Sequence, residues 1–278
     1  MKHRMERWWL VLASLALFAT PVQAELLDAI NEVRARGCRK HEGGKPPLTR
    51  SRQLDRVAEA LASGRSLRDA MSSAGYRAVQ SATFEATGSD TAIELSLAQR
   101  ACEDVIDPAY RDIGLASRPN RAWIVLAAPF VAPQPDQAGS VGARVLALVN
   151  EARAKQRRCG WRRFHAVPPL LLSETLNRAA LVHARDMANH GVLSHTGSDG
   201  SAPAERATRA GYRWRFVGEN IAAGQPTPEA VVAEWLKSAH HCANLMDPDY
   251  SQMGIAFVAA PQSKSAIYWV QMFGTPGR

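Results

Sequence analysis

The sequence predicts an α+β chain made of two tandem copies of one domain. Three observations carry that reading: a set of landmarks that occurs twice in the same order, helical patterns that precede strand patterns, and a proline-bearing stretch between the copies. Asn31-Glu32-Val33-Arg34-Ala35 returns as Asn150-Glu151-Ala152-Arg153-Ala154, and Pro46-Pro47-Leu48 returns as Pro168-Pro169-Leu170. Ala74-Gly75-Tyr76-Arg77 returns as Ala210-Gly211-Tyr212-Arg213. Cys102 and Cys242 are each followed at equal offsets by Asp-Pro, Tyr and Gly: Asp107, Pro108, Tyr110 and Gly114 in one copy, Asp247, Pro248, Tyr250 and Gly254 in the other. Matched landmarks of this kind mark the duplication of a whole domain.

With 278 residues and 46% apolar content, the chain can fill two cores of about 100–150 residues each. Residues 1–24 read as a signal peptide. Lys2, Arg4 and Arg7 form its basic start, Trp8 to Ala19 its apolar run, and Val22-Gln23-Ala24 its cleavage site. The apolar run is too short to span a bilayer as a helix, so no transmembrane segment is expected after cleavage; the alternative is an uncleaved anchor. Export to a periplasmic or extracellular location follows from the first reading.

An oxidising compartment makes the cysteines readable. Each copy holds one early and one late cysteine, so of the three possible pairings Cys38–Cys102 and Cys159–Cys242 are favoured. Each closure would contribute at most roughly 4 kcal/mol in the chain-entropy model.

The first domain is placed at 25–130, with a helix over Ser51 to Ala58, and 131–142 is read as a linker because Val131 to Ser140 holds two prolines and no periodicity. The second domain, 143–278, opens with helical spacing over Ala143 to Arg157. Ser173 caps a second helix through Met187, and a third fits Pro228 to Ser238. Strands follow near Met253 to Ala259 and Ala266 to Phe273, with Val217 to Ile221 as a further strand or its rim. Helices gathered ahead of strands give a layered α+β sandwich.

The formal charge is +8. Basic residues cluster at Arg157-Arg158, at Arg162-Arg163 and around Arg206, Arg209, Arg213 and Arg215, with Trp161, Trp214 and Phe216 interleaved. Such a mixture suits an anionic envelope or membrane surface, or solubility alone. No nucleic acid is expected as a partner of an exported, disulfide-bonded chain, and solvated surface is the preferred reading of these arginines.

Ser194-His195, Gly218-Glu219-Asn220-Ile221-Ala222, Trp235 with Ser238 and His241, Asn244, Asp247-Pro248 with Gly254, and Tyr268 to Gly274 resemble the CAP superfamily: cysteine-rich secretory proteins, antigen 5 and pathogenesis-related 1 proteins. The resemblance covers about 143–276 and is greatest to the bacterial SCP-like branch. It implies two CAP-type three-layer α-β-α sandwiches in tandem, the first reduced, and a cleft lined by His195, Glu219, Asn220, Ser238, His241, Tyr268 and Gln271. It also implies that histidines and acidic residues of the cleft can face a divalent ion such as zinc. The chain departs from the family where eukaryotic members carry a second glutamate, here Ser238, and a second histidine, here Tyr268. Cys242 stands where many bacterial members have a basic residue.

Read from the residues alone, His195, His241 and Glu219 are donors that zinc accepts, and with one water they would make an open site able to activate that water. Their spacing does not force them together, since no His-Glu-x-x-His is present. Plainer roles compete: Glu219, Asn220, Tyr268 and Gln271 suit a buried hydrogen-bonded network, His183 and His190 a pair on a helix surface flanking Asp186, and His240 an exposed position or a contact with Trp235. His165 falls in a loop and is uninformative. Ser194 and Ser238 lack a nucleophile elbow.

The first copy has Leu61 opposite His183, Ala82-Thr83-Phe84 opposite Gly218-Glu219-Asn220, and Ala101 opposite His241, and it lacks the His195 segment. Glu85 restores a carboxylate only if the register slips. Two functions are therefore expected in order of preference. The first is a binding module for a small-molecule, lipid-like or envelope ligand, and the second is a metal-dependent hydrolase using His195, His241 and Glu219. A purely adhesive role lacks support from any exposed apolar periodicity.

Overall fold

The computed structural model describes residues 21–277, so the signal-peptide reading falls almost entirely outside the described residues. The chain divides into two compact units at Phe130/Val131.

In the first unit the elements run α1 (Pro21–Arg36), β1 (Gly37–Cys38), β2 (His41–Glu42), β3 (Thr49–Arg50), α2 (Arg52–Ala62), α3 (Leu67–Ala74), β4 (Ala78–Thr87), α4 (Asp90–Arg100), α5 (Cys102–Ile106), β5 (Asp112–Arg118) and β6 (Arg121–Pro129). In the second they run α6 (Ala138–Arg153), β7 (Arg157–Cys159), β8 (Arg162–Phe164), β9 (Leu171–Leu172), α7 (Glu174–His190), α8 (Pro203–Arg209), β10 (Trp214–Ala223), α9 (Pro228–Lys237), α10 (Ala239–Leu245), β11 (Gln252–Ala260) and β12 (Ala266–Pro276). The stretch read as a linker is shorter than expected: a 3-10 turn at Pro135–Gln137 runs straight into α6. Helix α6 then ends at Arg153, four residues before the expected end, because Arg157 begins a strand.

Each unit has a four-stranded sheet with the same plan. The orders are β3-β5-β6-β4 and β9-β11-β12-β10. In both, a short edge strand pairs in parallel with the first arm of an antiparallel hairpin, and a long antiparallel strand closes the other edge. The closing strands even share a bulge, between Ala78 and Gln80 and between Trp214 and Phe216.

Helices cover both faces of each sheet. In the first unit Leu54, Val57, Ala58 and Ala70 of α2 and α3 pack on Ala116, Trp123 and Val125, while Leu26, Ile30, Ile93 and Val105 of α1, α4 and α5 pack on Ile113, Leu115, Ile124 and Leu126. In the second, Leu176, Ala180, Ala184 and Met187 of α7 pack with Ala207 of α8 on Ile221, Tyr268, Val270 and Met272. Helices α6, α9 and α10 lie on the opposite face. Gly254 explains the close approach of α7 to β11: a Cβ there would stand 2.2 Å from the Leu176 carbonyl carbon. Gly114 meets Leu54 at 2.1 Å in the same way.

The repeated polar landmarks are buried latches. Arg153, wholly buried, donates to the carbonyls of Pro168 (2.8 Å), Leu245 (2.7 Å), Asp247 (3.0 Å) and Tyr250 (3.2 Å). Arg34 donates to the carbonyls of Pro46, Val105, Asp107 and Tyr110. Asn31 and Asn150 each exchange two hydrogen bonds with the backbone of Leu48 and Leu170. Ser51 and Ser173 cap α2 and α7 as their residue type favours. Burial pulls the Arg153 guanidinium down to about 10, against the opposing pull of Asp247, and it stays cationic at neutral pH. Disulfides join Cys38 to Cys102 and Cys159 to Cys242, closing loops of 64 and 83 residues.

Candidate functional site

Glu219 is the centre of the polar site in the second unit. It lies on β10, an edge strand, two residues before Ile221 and so on the same face, toward α7 and α8. Its side chain is 1% exposed. Both carboxylate oxygens are engaged: Oε1 stands 2.8 Å from His195 Nδ1, and Oε2 accepts from Arg206 Nη2 at 2.7 Å.

The loop that carries His195 is fixed from both sides. Gly191 ends α7 in the left-handed region (φ +67), where glycine carries no Cβ penalty. Below it, His183 Nε2 meets the Ser194 carbonyl at 2.7 Å, and Asp186 accepts from the Ser198 N–H at 2.8 Å. From α8, Arg206 donates to the carbonyls of Ser201 and of His195, the latter at 2.9 Å. His195 is thereby held with its Nδ1 edge on Glu219 while half of its side chain stays exposed. A proton on Nδ1 donated to the carboxylate leaves Nε2 as the nitrogen available to a ligand.

On the opposite face, Asn220 and Gln271 pair across β10 and β12 and share a hydrogen bond of 3.3 Å. Asn220 also donates to the His241 carbonyl at 3.2 Å, and Asn244 donates to Asn220 Oδ1 and to the Glu219 carbonyl. Trp235 donates to the Ile221 carbonyl. These bonds fasten α9 and α10 to the strand that bears Glu219. Ser238 caps α10 through the His241 N–H, which uses its oxygen for structure. Ser194 likewise spends its hydroxyl on Thr196.

Burial holds the His183 imidazole below its ordinary range, with Glu219 opposing. The half-buried His241 is lowered by burial first and then by His195 and His240.

The three-ligand set His195, His241 and Glu219 is not assembled. Glu219 is spent on an arginine and an imidazole, and among the described residues no group of three His, Cys, Asp or Glu side chains is placed to hold a metal. Two imidazoles fall short of the three protein ligands of an open zinc site. Tyr268 also stands apart. It lies in the apolar core under α7, four residues along β12 from Met272, the partner of Glu219, which is about 13 Å.

Two members of the site escape the sequence reading. Arg206 is expected on solvated surface, yet its side chain is 3% exposed and neutralises Glu219. His183 is expected on a helix surface with His190, yet it is wholly buried, and only His190 is exposed. Arg206 carries one usable signal: it sits three residues after Pro203, inside the first turns of α8, where its neighbour Glu205 reaches back to the Ala202 N–H.

The sequence model of the Cysteine-rich secretory protein family, CAP, matches residues 146–273. These residues are a CAP domain. The chain is 30% identical over 139 residues to the uncharacterized protein YkwD of Bacillus subtilis (strain 168). That alignment covers 50% of this chain and 49% of the relative, so the chain spans about half the length of the curated relative it matches. Among solved structures, an extracellular protein containing a SCP domain from Bacillus anthracis aligns with TM-score 0.43 and 19% identity, covering 56% of this chain and 52% of that one. An outer surface protein from Borrelia burgdorferi aligns with TM-score 0.39 and 20% identity, covering 49% of this chain and 89% of that one.

Among the described residues, the polar site of the CAP domain has no counterpart in the first unit. Gly254 faces Met272, the partner of Glu219; Gly114 faces Val125, the partner of Thr83. Thr83 therefore occupies the Glu219 position. Glu85 lies two residues further along β4, exposed and paired with Arg121, so no register slip restores the carboxylate.

Proposed function

We propose that the protein is an exported binding module whose CAP domain takes an amphipathic ligand of the cell envelope, a lipid or lipid-linked molecule, at the β10 edge. One observation carries this reading: the Glu219 carboxylate is committed on both oxygens to His195 and Arg206. A carboxylate so engaged orients an imidazole; it is not poised as a base or a metal ligand. A metal bound at Glu219 would compete with His195 for Oε1, while Arg206 holds Oε2. The exposed His195 Nε2 and His241 supply polar contacts, and Val192 and Leu193, both about half exposed in the same loop, supply an apolar wall. A few polar groups beside an apolar wall need no catalytic set to bind.

The first unit, in this reading, is a reduced CAP-like copy that keeps the sheet plan, the arginine latch and the disulfide and has lost the site. It serves as scaffold.

The test is a titration of the disulfide-intact protein with monomeric lysophosphatidylcholine, followed by NMR. Saturable shifts at Val192, Leu193, His195 and His241 are expected, with affinity reduced about tenfold in Leu193→Asp, as loss of one buried leucine implies. Absence of shifts in the wild-type protein would end the binding reading of this site.

A further inference from the structure

The hairpin of β7 and β8 breaks two rules of a solvated surface. Its two-residue turn is Gly160-Trp161, and Trp161 is 85% exposed, the most exposed large apolar side chain among the described residues. Behind the tip, Arg158 and Arg163 face each other directly across the ladder. Like charges placed opposite on paired strands lower stability, and nothing in the fold demands the pair.

The first unit supplies the comparison. Its matching hairpin, β1 and β2, turns through Arg39 and Lys40, pairs Gly37 with Glu42, and has no tryptophan, tyrosine or phenylalanine. The fold therefore tolerates a tip without tryptophan and without opposed arginines.

Beside the hairpin is a cavity of about 550 Å³ lined by Gln156, Arg157, Arg158, Arg163, Phe164 and His165, with no carboxylate among them. The Arg157 Nε is buried and has no hydrogen-bond partner. The platform is rigid. Cys159, the last residue of β7, is tied to Cys242 of α10, and Gly160 sits against Ala239, where a Cβ would stand 2.8 Å from the alanine methyl.

We propose that this hairpin docks the protein on a bilayer surface bearing anionic phospholipid. Guanidinium groups pair with phosphate through forked hydrogen bonds. A basic cluster is drawn to an anionic leaflet. An indole at the tip is suited to the headgroup region, where its ring is apolar and its N–H is hydrated. Each feature is unfavourable or idle in water and satisfied at such a surface. None of these residues belongs to the His195 site, so the docking surface stands independently of the ligand proposed there.

The experiment is co-sedimentation of the disulfide-intact protein with vesicles of phosphatidylcholine alone or mixed with phosphatidylglycerol. Binding to the mixed vesicles only, weakening as salt rises, is expected. The double variant Arg158→Ala/Arg163→Ala should partition about thirtyfold less, and Trp161→Ala several-fold less, with the melting temperature lowered in neither. Leu193→Asp should leave partitioning unchanged, which separates this proposal from the His195 site. Equal partitioning of wild type and the hairpin variants, indifference to phosphatidylglycerol, or tighter binding to a duplex oligonucleotide than to mixed vesicles in the same salt would overturn it.

Discussion

Arg206 Nη2 and Glu219 Oε2 stand 2.7 Å apart with both side chains almost wholly buried. That contact anchors the carboxylate on which the proposed function rests. A buried anion is tolerated only when paired and hydrogen-bonded, and here each carboxylate oxygen has such a partner.

Glu219→Gln removes the anion and leaves Arg206 as an uncompensated buried cation. Breaking one side of such a pair costs about 3–5 kcal/mol. Thermal unfolding should show a drop of that order, and an unchanged melting temperature would mean that Arg206 is hydrated in solution.

Arg153→Met keeps the volume and deletes four carbonyl contacts made by one buried cation. Leaving buried carbonyls without donors costs about 1–3 kcal/mol each at most, reduced where water enters, so a loss of at least ~3 kcal/mol is expected by denaturant titration. Arg34→Met should act similarly, because the latch is the same.

Stability should fall in mild acid. His183 and His241 both titrate below their ordinary value of 6.5 in the folded chain. The unfolded chain therefore takes up protons first as pH drops, which favours unfolding. Their effect is absent above that value and grows as pH falls below it, toward the folded values. A melting temperature flat across the neutral range and declining in mild acid, with the decline shallower in His183→Gln, is the expected profile.

Much of the fold is legible in the sequence because the same landmarks recur in the same order in both units. Gly114 and Gly254, Asn31 and Asn150, and the four cysteines recur at matched positions since each does one geometric task twice. Strands β11 and β12 are visible as dense apolar runs. Helices α8 and α10 and the short β7–β8 ribbon are not, since seven residues or fewer hold too little periodicity to register. The site is half legible. His195, Glu219, Asn220, His241 and Gln271 gather at or beside β10, but Arg206 looks like its exposed neighbours Arg209 and Arg213. Only the fold shows that one arginine of that run turns inward to Glu219, thirteen residues on.

Zinc titration by calorimetry, on the disulfide-intact protein beside His195→Ala, His241→Ala and Glu219→Gln, tests the central claim most directly. With Glu219 committed to Arg206 and His195, no one-to-one zinc binding that depends on Glu219 should appear. Stoichiometric binding abolished by each of the three substitutions would contradict the account and make the CAP domain a metal site.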